Sequence, residues 1–244
     1  MRVLEIQGSY GLDNLKIAER PDPTPGPGQV AVSMRAVSLN FRDLMTVIGI
    51  YGGNFPLPLV PFSDGCGVIS AIGPGVTRVK VGDRVSSLFF QNWFAGPPKL
   101  EKIITPLGGP LDGCGQEVMI VSEQGVSKVP EFLTDNQVST LACAGLTAWR
   151  ALVVDGDVKA GDIAVLQGTG GVSIFALQFA KAMGLEVIIT SSSDEKLERA
   201  KAMGADHVIN YKATPSWSSE VRKITNGRGA DIVVEVGGAQ TLPQ

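Results

Sequence analysis

The run Ala164-Val165-Leu166-Gln167-Gly168-Thr169-Gly170-Gly171-Val172-Ser173 carries the clearest chemistry in this 244-residue chain. An apolar strand passes through a glycine turn directly into an amphipathic helix. Gly168 permits the tight turn, and Gly170 lets a ligand approach the backbone with no side chain in between. The free N–H groups of Gly171 and Val172 offer hydrogen bonds and the positive end of the helix dipole, which is what a dinucleotide pyrophosphate requires. Thr169 completes the loop. Ser173 departs from the G-x-G-x-x-G pattern at its third glycine, yet serine is small enough to keep the helix close to the strand. A bare loop that only needs positive φ is the competing reading. Against it stands the context: Ile174, Leu177, Ala180 and Met183 at helical spacing, then Gly184 and a second apolar strand over 186–190, together a βαβ unit.

About 20 residues beyond the turn, an acidic side chain would bind a ribose 2′-hydroxyl. The chain instead reads Thr190-Ser191-Ser192-Ser193. With no carboxylate to repel a 2′-phosphate, Ser191 and Ser192 as donors and Lys196 as a positive charge, this strand end favours NADP(H) over NAD(H). Lys196 has an alternative role as a solvated helix lysine paired with Glu195 or Glu198.

These motifs need elements to hold them. Strands over 163–167, 186–190, 208–210 and 231–236 alternate with helices that begin near Gly170, Asp194 and Ser216, the signature of a parallel α/β sheet. Thr134 is placed to cap a helix reaching Leu141, and a second helical segment runs over 146–154. Before about residue 129 the texture is β-rich, with strands at 29–37 and 65–72 punctuated by proline and glycine. Residues 90–115 read as an irregular surface lobe. The expected class is therefore α/β, with a β-rich domain over 1–129 and a doubly wound parallel sheet over 130–244. Its four strands fill the first four places of the order 3-2-1-4-5-6, so the sheet is expected to be incomplete, with an unpaired edge at the fourth strand as in a truncated chain.

Composition narrows the partners. A net charge of −3 and the absence of a basic cluster exclude an electrostatic footprint for nucleic acid or a membrane surface. No stretch approaches the roughly 18 apolar residues of a spanning helix, so a cytoplasmic enzyme acting on a small molecule is the default expectation. Cys66, Cys114 and Cys143 have no C-x-x-C spacing and read as small buried residues.

Several motifs occurring in order give the chain a resemblance to the medium-chain dehydrogenases/reductases, in particular their zinc-independent, quinone-oxidoreductase-like branch. They are Ala36-Val37-Ser38-Leu39-Asn40-Phe41-Arg42-Asp43, the stretch from Pro61 to Gly67, Val79-Lys80-Val81-Gly82-Asp83-Arg84-Val85, Gly145-Leu146-Thr147-Ala148-Trp149, the glycine turn and Gly204-Ala205-Asp206. The resemblance implies a GroES-like catalytic domain followed by a Rossmann domain, and a possible homodimer formed through the outer strand of the cofactor domain. Where zinc-dependent members hold their catalytic metal, this chain has Asn40, Ser63 and Cys143. The four closely spaced cysteines of the structural zinc lobe have no counterpart, and the only histidine, His207, lies in the cofactor half. Both zinc sites are therefore expected to be absent.

The resemblance also implies that Asn40, Asp43 and Tyr51 approach the nicotinamide and the substrate. Asn40 would donate its amide to a developing oxyanion, and Tyr51 would donate a proton or orient the acceptor. The same residues have structural readings: Asn40 and Asp43 as caps of a short helix beginning near Phe41, Tyr51 as a packed turn residue. Lys196 and Tyr211 match positions that grip an adenosine 2′-phosphate. Thr147 matches a position near the nicotinamide, and Gly237 lies where that half of the cofactor should pass. Alternatively, Thr147 bonds to its own helix and Gly237 merely ends a strand. Without a Lewis acid, hydride transfer is easiest to conjugated acceptors, whose developing charge is delocalised. The expected function is hydride transfer between NADPH and a quinone, enone or related carbonyl compound. The alternatives are a zinc-type alcohol dehydrogenase and a truncated nucleotide-binding protein without turnover.

Overall fold

The computed structural model describes residues 1–51, 55–238 and 241, and the chain divides into two compact units, Met1–Cys143 and Ala144–Gln244. In the first unit, strands β1 (Arg2–Ile6) and β2 (Leu15–Glu19) form an antiparallel pair. The remaining elements are β3 (Gln29–Ser38), α1 (Phe41–Val47), β4 (Asp64–Ile72), β5 (Arg84–Ser87), α2 (Leu100–Ile103), β6 (Val118–Ser122), β7 (Val126–Lys128) and α3 (Asp135–Val138). The larger sheet is antiparallel, in the order β6-β3-β4-β5-β7. Its inward face buries Val30, Val32, Ile69, Val85, Met119 and Val121, which alternate along their strands as a half-buried sheet requires.

Residues 90–115 are only partly a surface lobe. Residues around α2 are exposed, but Leu107 and Cys114 are inserted into the core beside Met119, so the segment returns to cover the sheet. The helix expected from Thr134 to Leu141 is shorter than its pattern. Thr134 and Gln137 do form a reciprocal capping box at α3, but the Ser139 and Thr140 hydroxyls donate back to the carbonyls of Asn136 and Gln137. Such local bonds compete with the backbone ladder. The chain then continues through a π-helical turn, Leu141–Gly145, inside which the division between the units falls.

The second unit contains α4 (Leu146–Trp149), β8 (Ile163–Gln167), α5 (Gly171–Ala182), β9 (Glu186–Ser191), α6 (Asp194–Ala202), β10 (His207–Asn210), α7 (Trp217–Ile224) and β11 (Ile232–Val234). The sheet is parallel, in the order β10-β9-β8-β11, which is the expected 3-2-1-4 arrangement. Because helices cover both faces, β8 is buried at every residue. Ala164 and Leu166 pack with Leu177, Ala180 and Leu197 of α5 and α6, while Ile163 and Val165 pack with Trp217 and Val221 of α7. Strand β11 is shorter than the expected 231–236 because the Glu235 carboxylate accepts the N–H groups of Gly237 and Gly238, which turns the chain out of the sheet. Among the described residues, no helix is long and apolar enough to cross a membrane.

Close approach of β3 and β4 depends on glycine. A Cβ on Gly67 would lie 2.5 Å from the Ser33 carbonyl oxygen and 2.6 Å from Val32 Cγ1. Gly67→Ala is expected to lower the unfolding free energy by about 2 kcal/mol in urea titrations, because backbone rather than a movable side-chain tip blocks the methyl group.

Candidate functional site

In the second unit the glycine turn is built for an anion. Gly168 has a φ of +75°, in the left-handed region, and Gly170, at the cap position before α5, has φ −81°. A Cβ at either position would meet no atom within 4 Å, so the space over the turn is open. No side chain caps α5, and the N–H groups of its first turn have no intrahelical acceptor. Ser173, the departure from the glycine pattern, is fully buried and donates from Oγ to the Gln167 carbonyl at 2.7 Å. The serine thus keeps the helix against the strand by a hydrogen bond instead of by lacking a side chain. Gln167 contributes a further signal that the sequence reading missed: its Oε1 is buried with no partner among the described residues, and a Cβ on Gly237 would come within 3.2 Å of it. A polar atom stranded at the end of β8, beside an open glycine turn, fits a ligand that donates hydrogen bonds.

The strand end beyond the turn gathers the other cofactor candidates. Ser191 is buried; its hydroxyl accepts the Ser193 N–H at 3.3 Å and shares a hydrogen bond with Thr169 Oγ1 at 3.3 Å, so it ties the turn to β9. Its carbonyl accepts the Tyr211 N–H, which brings the exposed Tyr211 side chain to this end of the sheet. Ser193 caps α6 by accepting the Lys196 N–H. Neither Glu195 nor Glu198 pairs with Lys196, which is exposed at the first turn of α6; Asp194 there accepts from Asn210 instead. Ser192 is half-buried beside it. Thr147, on α4, is exposed, and its hydroxyl has no partner on its own helix among the described residues. Gly237 lies in the turn held by Glu235.

The first unit contains a buried polar cluster where β3 ends and β4 begins. Asp43 caps α1, with Oδ2 accepting the Asn40 N–H at 2.8 Å, and its Oδ1 accepts from Arg42 and from the Ser63 N–H, both at 3.2 Å. Burial raises its pKa in spite of these partners. Both oxygens of its carboxylate are engaged, which supports the capping reading. Asn40 does more than precede a helix. Its Nδ2 points to Ser63 Oγ at 3.4 Å, and Ser63 donates to Asp64 Oδ1 at 3.1 Å. Its side-chain oxygen takes part in the capping box of α1 by accepting the Asp43 N–H, so Asn40 combines the capping role with a bond to the buried cluster.

Arg42, Ser63 and Asp64 are members of this cluster to which the sequence reading gave no role in the chemistry. Arg42 is buried, donates to the carbonyls of Leu107 and Gly109 and lies over the Tyr51 and Phe89 rings at 5.0 and 5.3 Å. It holds the otherwise exposed Tyr51 by a cation–π contact. Asp64 is fully buried. Its Oδ2 accepts the Cys143 N–H at 2.9 Å, and burial, offset by that bond and by Asn40 and Ser63, pushes its pKa up to about 6. The signal for Asp64 was present as an acidic residue inside an apolar strand pattern. The Cys143 thiol is pushed up to about 12 by burial and the nearby Asp64 and Asp43 charges. Cys143 is half-buried, in contrast to the fully enclosed Cys66 and Cys114. His207, at the start of β10, faces Glu186 Oε1 at 3.1 Å.

Comparison with known proteins gives these features a common setting. The alcohol dehydrogenase GroES-like domain family matches residues 26–131, and the zinc-binding dehydrogenase family matches residues 171–244. A zinc-type alcohol dehydrogenase-like protein of Schizosaccharomyces pombe is 46% identical over 237 residues, which is 96% of this chain and 68% of that protein. A solved structure from Sinorhizobium meliloti 1021, assigned to the alcohol dehydrogenases, is 45% identical with a TM-score of 0.91, covering 98% of this chain and 70% of the other. A quinone oxidoreductase of Pseudomonas syringae is 33% identical with a TM-score of 0.79, covering 95% of this chain and 65% of its own.

Asp64 makes stability depend on pH. Because its pKa rises on folding from 3.8 to about 6, the folded state holds a proton that the unfolded state has released, and stability is lost as pH increases through that window. Asp64→Asn removes this loss. The stability of the variant relative to wild type is expected to increase between pH 4 and pH 7 by up to about 3 kcal/mol, measured by denaturation at each pH. A constant difference would contradict the burial account.

Proposed function

The chain belongs to the medium-chain dehydrogenase/reductase superfamily of NAD(P)-dependent oxidoreductases, and within it we propose that it transfers hydride from NADPH to a quinone, enone or related conjugated carbonyl compound without zinc. The observation that carries the cofactor part is the open, uncapped turn at Gly168–Gly170, next to a strand end with no acidic residue and a Lys196 that is unpaired among the described residues. The first-turn amides of α5 would hold the pyrophosphate. Ser192, Lys196 and Tyr211 would receive the 2′-phosphate, while Ser191 and Thr169 fix the shape of the turn. Thr147 and Gly237 are proposed to lie toward the nicotinamide.

The donor set supports the zinc-free reading. The three positions that bind the metal in zinc-dependent relatives hold Asn40, Ser63 and Cys143 here, and the first two offer a carboxamide and a hydroxyl already engaged in hydrogen bonds. A thiolate and imidazoles are what zinc would need, and these residues do not fit it. Bound nicotinamide supplies the hydride. With a conjugated acceptor, the electron pair displaced by the hydride spreads from carbon to the carbonyl oxygen, where one hydrogen-bond donor and a proton suffice. Tyr51, with an exposed ring held by Arg42, is the proposed donor to that oxygen. Asn40 orients the bound molecule, and Asp43 secures Asn40 and Arg42.

Lys196→Ala tests the cofactor assignment. Calorimetric titration is expected to show about a tenfold loss of affinity for NADPH and less than a twofold change for NADH, as for removal of one charge-assisted phosphate contact. Equal losses for both nucleotides would contradict the 2′-phosphate role. Tyr51→Phe is expected to lower kcat for reduction of a soluble 1,4-benzoquinone by about tenfold or more with the NADPH affinity unchanged. Unchanged turnover would remove Tyr51 from the chemistry.

A further inference from the structure

Gln167 ends β8 immediately before the glycine turn, and the cofactor reading gives its side chain no part. The residue is only 6% exposed, yet neither Oε1 nor Nε2 has a hydrogen-bond partner among the described residues. An amide buried unpaired costs stability and marks a place where a partner arrives from outside the chain. Its position in the sheet narrows that partner. After β10 the chain crosses back to lay β11 on the far side of β8, so the strand order reverses at the crevice between the ends of β8 and β11. Ligands of such sheets enter at that crevice. Gln167 alternates onto the face of Ile163 and Val165, which pack with α7, opposite to the face that α5 covers. Its oxygen lies against Gly237, where a Cβ would come within 3.2 Å of it. The register that pairs Val234 with Leu166 brings Glu235 beside Gln167. The Glu235 carboxylate is occupied by the N–H groups of Gly237 and Gly238 and by the Thr241 hydroxyl.

We propose that Gln167 is a cofactor-binding residue whose carboxamide recognises the hydroxyl pair of the ribose on the nicotinamide side of the diphosphate. The inference deepens the nucleotide reading above and rests on it, and every residue it needs belongs to the second unit. With the diphosphate on the first-turn amides of α5, the adenosine half runs toward Lys196 beyond the end of β9, and the other half leaves over β8 and β11. The first group it carries there is a ribose, joined to the diphosphate by a single methylene. A cis-diol presents donors and acceptors side by side, and a free carboxamide answers with Oε1 as acceptor and Nε2 as donor. Because neither end is bonded within the described chain, turning the amide toward the mouth of the crevice breaks no hydrogen bond. Such a contact, made away from water, discriminates against a ligand that lacks the diol, because the amide is then left unpaired.

Gln167→Met keeps the volume and removes both polar ends. Calorimetric titration with three nucleotides separates the contacts: 2′-phosphoadenosine 5′-diphosphate, which stops at the diphosphate; 2′-phosphoadenosine diphosphoribose, which adds the ribose; and NADPH. The variant is expected to bind the first with less than a twofold change and to lose about tenfold in affinity for each of the other two. Its denaturation midpoint without ligand is expected to be no lower than that of wild type, since the substitution removes an unpaired buried amide. Gln167→Asn, which withdraws the amide by one methylene, is expected to give the same affinity pattern and serves if Gln167→Met does not fold. A loss confined to NADPH would assign the amide to the nicotinamide carboxamide and overturn the ribose contact. Equal losses for all three nucleotides, or none, would overturn recognition by Gln167 while leaving the nucleotide site in place. Failure of the wild-type protein to bind any of them would overturn the nucleotide reading, and this inference with it.

Discussion

The unpaired amide groups at the start of α5 are the constraint on which the second unit depends. A helix that opens without a cap leaves several N–H groups unsatisfied, and most helices avoid this with a serine, threonine or aspartate side chain. Here the cap position is Gly170, while α3 and α6 in the same chain are capped by Thr134 and Ser193. α2, α4 and α7 also start without a side-chain cap, but among the described residues only at α5 does the sheet hold the open end beside a glycine turn. β8 is buried along its whole length, Gly168 takes the left-handed turn, and Ser173 bonds α5 to the last carbonyl of the strand. Thr169 and Ser191 then tie the turn to the neighbouring strand.

The first unit solves a different problem, the burial of charge. Asp43, Arg42 and Asp64 lie in the interior and are stabilised by the cap of α1, by two carbonyls and by the Cys143 N–H. Removing charged groups from water is costly unless they are paired, and the cluster is paired at nearly every atom. Among the described residues the Tyr51 hydroxyl is left without a partner, and it is available to a ligand. Capping and recognition are not competing roles here, because the carboxylate that ends the helix also fixes the residues beside it.

Much of the cofactor unit was legible in the sequence because its signals are local. The period change from strand to helix, the glycine turn and the serine run at the end of β9 lie within thirty residues, and the strand order followed from them. The first unit was less legible. Asn40, Ser63 and Cys143 are far apart in the chain, and only the fold gathers them around Asp64, which no spacing rule connects to Asn40. Arg42 read as one letter of a motif, and only the fold brings it over Tyr51. The break after α3 was also invisible to periodicity, since it arises from two hydroxyls bonding backward.

The central claim is that the open backbone around Gly170 receives the nucleotide diphosphate. Gly170→Ala tests it most directly, because a φ of −81° accepts alanine and its methyl group would touch no protein atom, so the fold is left intact while the cradle is filled. Calorimetric titration with NADPH is predicted to show binding to the wild-type protein and at least a tenfold loss in the variant, with the denaturation midpoint unchanged. Equal affinities, or no binding by the wild-type protein, would contradict the account.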